Sequence, residues 1–313
     1  MSQIYTITLN PAVDRELTVP VINYDQVLRS KTQNVDFGGK GFNVSRMLKS
    51  LGADSTALGF VGGKSGELLN EGLQSLGIQT DFVWISGETR TNVSIKSQKN
   101  DHYIKVNEPG PTITESEQKA LVEKISRLTQ PGDWWVIAGS LPPGIPADYY
   151  GQLIKILQSK HAKVVFDASG KPFAEGCLAQ PFLVKPNDIE LHEMTGMPVG
   201  TIEEITHAAN KLQEMGIMIT VVSLGKNGAL LLSEQENWWA KSPPIQESNP
   251  IGAGDSLVGG MVFALSQDYP LEEALTWGVA CGAAAASLSG TGVGSYEYVE
   301  SLKQQTETKR LGS

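Results

Sequence analysis

Cysteine is almost absent: Cys177 and Cys281 are the only two in 313 residues, and neither belongs to a Cys-x-x-Cys pair. A disulfide framework is excluded, and two buried thiols in a reducing compartment are expected. Histidine is scarce too. His102, His161, His192 and His207 show no metal-ligand spacing, and no Gly-x-Ser-x-Gly elbow occurs, which argues against a zinc site or a serine-hydrolase triad. No apolar run reaches the ~18 residues of a membrane helix. The nearest, Val279 to Leu288, is short and rich in Ala and Gly, as suits a helix packed inside a core. The first residues alternate like a strand and lack the basic and apolar regions of a signal peptide, so a cytoplasmic location is expected. Positive charge is in deficit, 25 Lys and Arg against 34 Asp and Glu, for a net charge of −9. That balance argues against nucleic acid or an anionic membrane as partner. A phosphate-bearing ligand must instead be held by a local cluster of donors.

What is present is an alternation of strand-like and helix-like segments. Strands are expected at Ile4–Leu9, Thr56–Val61, Asp81–Ile85, Trp134–Ala138, Lys163–Asp167, Phe182–Val184 and Met218–Ser223. Helices are expected at Val44–Leu51, Glu67–Leu76, Glu115–Leu128, Ala147–Ser159, Gly254–Leu265, Leu271–Leu288 and Tyr296–Gln305, the first two stopped by Gly52 and Gly77. This order predicts an α/β fold with a mostly parallel sheet covered on both faces. Length alone suggests two domains, although α/β chains of this size often form one layered unit. The polar end, Gln304 to Ser313, is expected to fray. Two segments break the rhythm, Asp14–Phe37 and Thr89–Glu108. Both read as strands without core helices, the second as a hairpin turning at Lys99-Asn100-Asp101-His102. Paired, they would form a small sheet over one edge of the main layer, a lid able to keep water from a reacting group.

Four motifs carry chemistry. In Asn249-Pro250-Ile251-Gly252-Ala253-Gly254-Asp255-Ser256, small residues open a helix and let backbone N–H groups face an anion. A carboxylate there makes sense as a base that takes a proton from an attacking hydroxyl while the N–H groups absorb charge on a transferring phosphoryl group; alternatively, Asp255 is only an early helix residue. Gly38-Gly39-Lys40-Gly41-Phe42-Asn43 opens another helix but fails the dinucleotide pattern, since Val44 replaces the third glycine. Leu58 likewise stands where a Walker A loop needs glycine before Gly63-Lys64-Ser65, so that stretch reads as a strand-to-helix turn. In Lys185-Pro186-Asn187-Asp188-Ile189-Glu190, the amide and carboxylate three residues apart suit a hydrated Mg²⁺, a helix capping box, or both. Ser223-Leu224-Gly225-Lys226-Asn227-Gly228 is a glycine turn that would pass under a nucleotide or merely connect a hairpin. Trp134-Trp135 and Trp238-Trp239 read as packing, and the Glu115-Glu117 and Glu203-Glu204 pairs as solvated helix faces.

Together these residues resemble the ribokinase-like (PfkB) carbohydrate kinase family over essentially the whole chain. Gly38 to Asn43 is similar to its N-terminal signature and Gly252-Ala253-Gly254-Asp255 to its C-terminal one. Thr89-Arg90-Thr91-Asn92, Gly139-Ser140-Leu141-Pro142-Pro143-Gly144 and Val184-Lys185-Pro186-Asn187 resemble the branch that phosphorylates sugars already carrying a phosphate. The resemblance implies a single domain over residues 1–313, a three-layer α/β/α sandwich with a β-lid, ATP and Mg²⁺ as cofactors, a phosphorylated ketohexose as acceptor, and a homodimer through the lid. It implies Asp255 as general base and Gly252, Ala253 and Gly254 as the anion hole. Asp14, Gly38, Gly39, Asn43 and Asn92 would hold the sugar. Lys40, Arg90, Ser140 and Arg29 would bind its phosphate. Lys185, Asn187, Ser223, Gly225, Gly228 and Ser289 would lie along the nucleotide, with Asn187 and Glu190 organising the metal. Fructose 1-phosphate is the first expected acceptor, with tagatose 6-phosphate and fructose 6-phosphate as alternatives. A sugar-phosphate sensor without catalysis is the reading from a different class.

Overall fold

A computed structural model describes residues 2–99 and 102–312. The expected turn at Lys99 to His102 therefore includes two residues, Asn100 and Asp101, outside the described ones. The chain begins with strands β1 (Ile4–Thr8), β2 (Ala12–Val19) and β3 (Thr32–Gly38), then helix α1 (Lys40–Ser50), β4 (Thr56–Val61) and α2 (Gly63–Ser75). Short strands β5 (Gln79–Thr80) and β6 (Val83–Trp84) precede β7 (Arg90–Ser97) and β8 (Tyr103–Val106). Next come α3 (Glu115–Leu128), β9 (Trp134–Ala138), α4 (Tyr149–Ser159), β10 (Lys163–Asp167), α5 (Gly170–Cys177) and β11 (Leu183–Val184). They are followed by α6 (Asp188–Thr195), α7 (Ile202–Glu214), β12 (Ile219–Ser223), β13 (Ala229–Ser233) and β14 (Asn237–Lys241). The last elements are α8 (Ala253–Leu265), α9 (Leu271–Ala286), α10 (Tyr296–Lys303) and β15 (Glu307–Leu311).

The main sheet has the order β15-β14-β13-β12-β11-β10-β9-β1-β4-β5, with β6 also on β4. It is parallel from β12 to β5 and antiparallel from β12 outward to β15. Strand periodicity sorts its side chains into two cores. Tyr5, Ile7, Trp135, Ile137, Val164 and Phe166 face helices α3, α4, α5 and α7. Their alternates Ile4, Trp134, Val136 and Val165 face α1, α8, α9 and α10. The expected sandwich is therefore observed, and both tryptophans of the Trp134-Trp135 pair are core residues.

The two rhythm-breaking segments pair as expected, in a second sheet of order β3-β2-β7-β8 in which β2 and β7, far apart in sequence, run parallel. Strand β2 leaves the end of β1, so this sheet stands at the carboxyl ends of the parallel strands. Strand order reverses beside β1, between β9 and β4, and such a switch point opens a crevice for ligands.

Three expectations are corrected. The end of the chain does not fray: β15 pairs with β14 along Asn237↔Leu311 to Lys241↔Glu307. The strand expected at Asp81–Ile85 shrinks to the two-residue β6 on β4, with β5 pairing on β4 just before it. Glu117 and Glu204 are not simply solvated, because each closes a capping box with Thr114 or Thr201 at the start of α3 or α7. The turn at Gly62-Gly63-Lys64-Ser65 does lead from β4 into α2, and its N-terminus is filled from within: the Ser65 N–H donates to Glu88 Oε1 at 2.6 Å and the Gly62 N–H to Thr89 Oγ1 at 2.9 Å.

Candidate active site

The carboxyl ends of β1, β9, β10, β11 and β12 converge on two adjoining cavities. The first, about 550 Å³, is walled by Asp14, Asn92, Arg90 and Lys105 from the small sheet and by Lys40, Asn43, Ser140, Asp167, Lys185 and Asp255 from the main body. The second, about 920 Å³, runs past Gly225, Gly228, Pro243, Ile245, Ala253, Val279 and Ala283. Asn187, Ser223 and Gly254 line both, so the N-terminus of α8 marks the junction.

That N-terminus is built by its glycines. Gly252 caps α8 at φ +80°, a left-handed conformation that disfavours a side chain, and no side chain caps the helix. The Ala253 N–H is taken by the Pro250 carbonyl at 3.2 Å, while no backbone carbonyl among the described residues takes those of Gly252, Gly254 and Asp255, which lie beside the junction at the positive end of the helix dipole. The Ala253 carbonyl lies 3.1 Å from the place a Cβ would take on Gly282, so α9 carries a glycine where the start of α8 packs closely on it. Asp255, in the same turn, is 7% exposed, and Asn43 Nδ2 donates to its Oδ2 at 2.8 Å. Burial first, and then the charge of Asp167, push its carboxyl up to about 6, with Lys40, Asn43 and Lys185 opposing.

Asp167, 1% exposed at the end of β10, was not expected as a site residue, yet it organises the centre. Lys40 Nζ donates to its Oδ1 at 3.1 Å, and Lys185 Nζ lies 3.6 Å from the same oxygen. Burial alone would raise this carboxyl, but Lys185 and Lys40 more than offset it and hold it below the usual range. Burial works against the charged Lys40, while Asp167 and Asp255 outweigh it and raise the ammonium above its ordinary range. The sequence signal available was an acidic residue closing a buried parallel strand at the ligand-binding end of the sheet.

On the small-sheet side, Asp14 accepts from Asn92 Nδ2 at 2.7 Å, and burial raises its carboxyl against that hydrogen bond. Buried oxygens of Thr8, Asn10, Asn43 and Asn92 have no partner, and all four residues line this cavity. Unpaired acceptors around a polar cavity suit a ligand rich in hydroxyl donors.

The other expected site residues are placed unevenly. Gly38 does not line the cavity; a Cβ on it would lie 2.0 Å from Asp14 Oδ2, so its role is to make room for that carboxylate. Arg29 and Ser289 are exposed and line neither cavity. Lys40 lines the same cavity as Arg90 and Ser140, with its ammonium on Asp167. The Nε and Nη2 of Arg90 donate to the Asn10 carbonyl at 3.2 and 2.8 Å and its Nη1 to the Glu108 carbonyl at 3.0 Å, so only part of its fork is free. Asn187 and Glu190 do form a capping box on α6, through Glu190 N–H to Asn187 Oδ1 at 2.7 Å and Asn187 N–H to Glu190 Oε2 at 2.9 Å. Glu190 Oε1 takes no part in it. Among the described residues no cluster of three or more His, Cys, Asp or Glu could hold a metal. Such a donor set fits an ion that keeps its waters, not an all-protein cage.

A family model described as pfkB family carbohydrate kinase matches residues 5–297. The chain belongs to that family. A relative named 1-phosphofructokinase from Bacillus subtilis is 38% identical over 98% of this chain and all of its own length. Another of that name, from Vibrio cholerae, is 36% identical over 99% of this chain and 97% of its own. The solved phosphofructokinase-2 from Escherichia coli in complex with fructose-6-phosphate superposes with a TM-score of 0.90 at 30% identity, covering 97% of this chain and 99% of that one. As a pfkB kinase the chain is an ATP-dependent phosphotransferase acting on a sugar phosphate, and none of its described helices is long and apolar enough to cross a membrane.

Proposed function

We propose that the chain transfers the γ-phosphoryl group of ATP to the free primary hydroxyl of fructose 1-phosphate, giving fructose 1,6-bisphosphate and ADP. The observation that carries this reading is Asp255, a buried carboxylate that lines the polar cavity from the first turn of a helix with no side-chain cap, next to Gly254, which lines both that cavity and the largely apolar one. The relatives named 1-phosphofructokinase favour this acceptor; the fructose-6-phosphate complex keeps fructose 6-phosphate as the second reading.

In the proposed step, Asp255 accepts the hydroxyl proton as the new O–P bond forms and the bond between the γ-phosphorus and the bridging oxygen breaks. Electrons of that bond leave on ADP, and the N–H groups of Gly252, Gly254 and Asp255 face the charge on the moving phosphoryl group, while the Ala253 N–H braces the turn on the Pro250 carbonyl. Lys40 and Lys185, both anchored on Asp167, supply cations beside the same point. Asp14, Gly39, Asn43 and Asn92 hold sugar hydroxyls; Ser140, the free part of Arg90, and Lys105 receive the existing phosphate. Ser223, Gly225 and Gly228 border the nucleotide. Bound Mg²⁺ would neutralise phosphate charge, held through its waters by Asn187 and Glu190.

The whole chain acts as one unit in this reading, with the small sheet closing over the sugar. It works in the cytoplasm as a homodimer through that sheet, where Val35, Tyr103 and Val106 are exposed. An ADP-release assay over fructose 1-phosphate, fructose 6-phosphate, tagatose 6-phosphate and free fructose tests the acceptor. The highest kcat/KM is expected on fructose 1-phosphate and the lowest on free fructose; a free-sugar preference would overturn the reading.

A further inference from the structure

Arg46 of α1 lines neither cavity, and its side chain is only 9% exposed. Its guanidinium joins two distant segments. Nη2 donates to Asp36 Oδ1 at 2.5 Å and to the Phe37 carbonyl at 3.1 Å, both on β3. Nη1 donates to Thr291 Oγ1 at 2.6 Å, in the loop after α9, and that hydroxyl donates in turn to Asp36 Oδ2. The three side chains close a ring across segments up to 255 residues apart.

Each end of the ring leads into the site. Asp36 stands directly opposite Asp14 in the β2–β3 pairing, and Gly38, two residues on, makes room for the Asp14 carboxylate. Two carboxylates facing across strands repel, and Arg46 is the charge that neutralises Asp36. On the other side, the Gly290 carbonyl next to Thr291 accepts from Asn249 Nδ2 at 2.8 Å. Asn249 also accepts the Ile251 N–H at 3.1 Å, and its own N–H donates to the Ala286 carbonyl at 3.0 Å. Ile251 and Gly252 then line the cavity that holds Asp255.

We infer that Arg46, Asp36 and Thr291 are positioning residues that tie the sugar-side strand to the loop forming the amide cradle, so that a ligand in either half of the cleft orders the other. The inference rests on the kinase reading above. Such a coupling is reciprocal: each substrate tightens the other by one factor, typically about 5-fold or more.

The test is calorimetric titration of the full chain with fructose 1-phosphate, with and without a non-hydrolysable ATP analogue, and the reverse. Wild type is expected to show mutual tightening. Thr291→Val, which keeps the shape and removes the hydroxyl, is expected to lose most of it while each ligand alone binds within about 2-fold of wild type, and Thr291→Ser to restore it. Arg46→Lys, which keeps a charge for Asp36 but cannot fork to Thr291, provides a second variant expected to behave like Thr291→Val. Equal coupling in wild type and both variants, or a wild type that binds both ligands independently, overturns the inference alone. A wild type that binds the nucleotide analogue but no sugar phosphate overturns the kinase reading with it.

Discussion

Asp255→Asn is expected to lower kcat by about 10²–10⁴-fold, the range for losing a general base, while both substrates still bind. The change is nearly isosteric, and the new amide can turn its oxygen toward Asn43 Nδ2, which now donates to Asp255 Oδ2 at 2.8 Å. Folding should not suffer. Burial raises the Asp255 carboxyl above its unfolded value, so stability is lost as the pH rises from its unfolded titration range through about 6, and the full cost is present at neutral pH. A neutral amide removes that cost, and Tm at neutral pH should be equal or higher. Steady-state kinetics beside thermal melts separate a lost base from a lost fold; near-wild-type turnover would remove Asp255 from the chemistry.

Asp167→Asn is expected to damage both stability and catalysis. It leaves Lys185, 4% exposed, and the partly covered Lys40 without their shared anion. Breaking a buried ion pair from one side costs about 3–5 kcal/mol, enough to lower Tm by several degrees. The sign in wild type follows from the depressed carboxyl: Asp167 stabilises the fold above its unfolded titration range, and that support is lost as pH falls through its lower folded value. The two lysines would also lose the point that fixes them beside Asp255, so kcat should fall more than the affinity for either substrate. Unchanged Tm and kcat would show that the lysines do not depend on Asp167.

Much of the scaffold was legible because the buried strands announce themselves. Thr56–Val61, Trp134–Ala138 and Lys163–Asp167 are short apolar runs between helices, and they form as expected. β15 was not legible. Glu307-Thr308-Lys309-Arg310-Leu311 is an edge strand with one covered side, so charged residues dominate it, and only pairing with β14 distinguishes it from a loose tail. The glycine turns that open α1 and α8 were readable, since few other uses explain such clusters at a helix start. The partners of the charged groups were not. Lys40 and Asp167 are 127 residues apart, and nothing local to Lys40 tells that its ammonium turns to that carboxylate. Arg90 likewise looks in sequence like a free phosphate fork, while in the fold it braces the Asn10 carbonyl.

The pH dependence of kcat/KM tests the central claim most directly, because its acidic limb reports the essential base of the free enzyme. A base buried beside Asp167 should give a limb at about 6, with activity lost as pH falls through that value. The residual activity of Asp255→Asn should lack that limb. A limb at about 4, where an ordinary solvent-exposed carboxylate titrates, or one that survives unchanged in the Asn variant, would contradict the account.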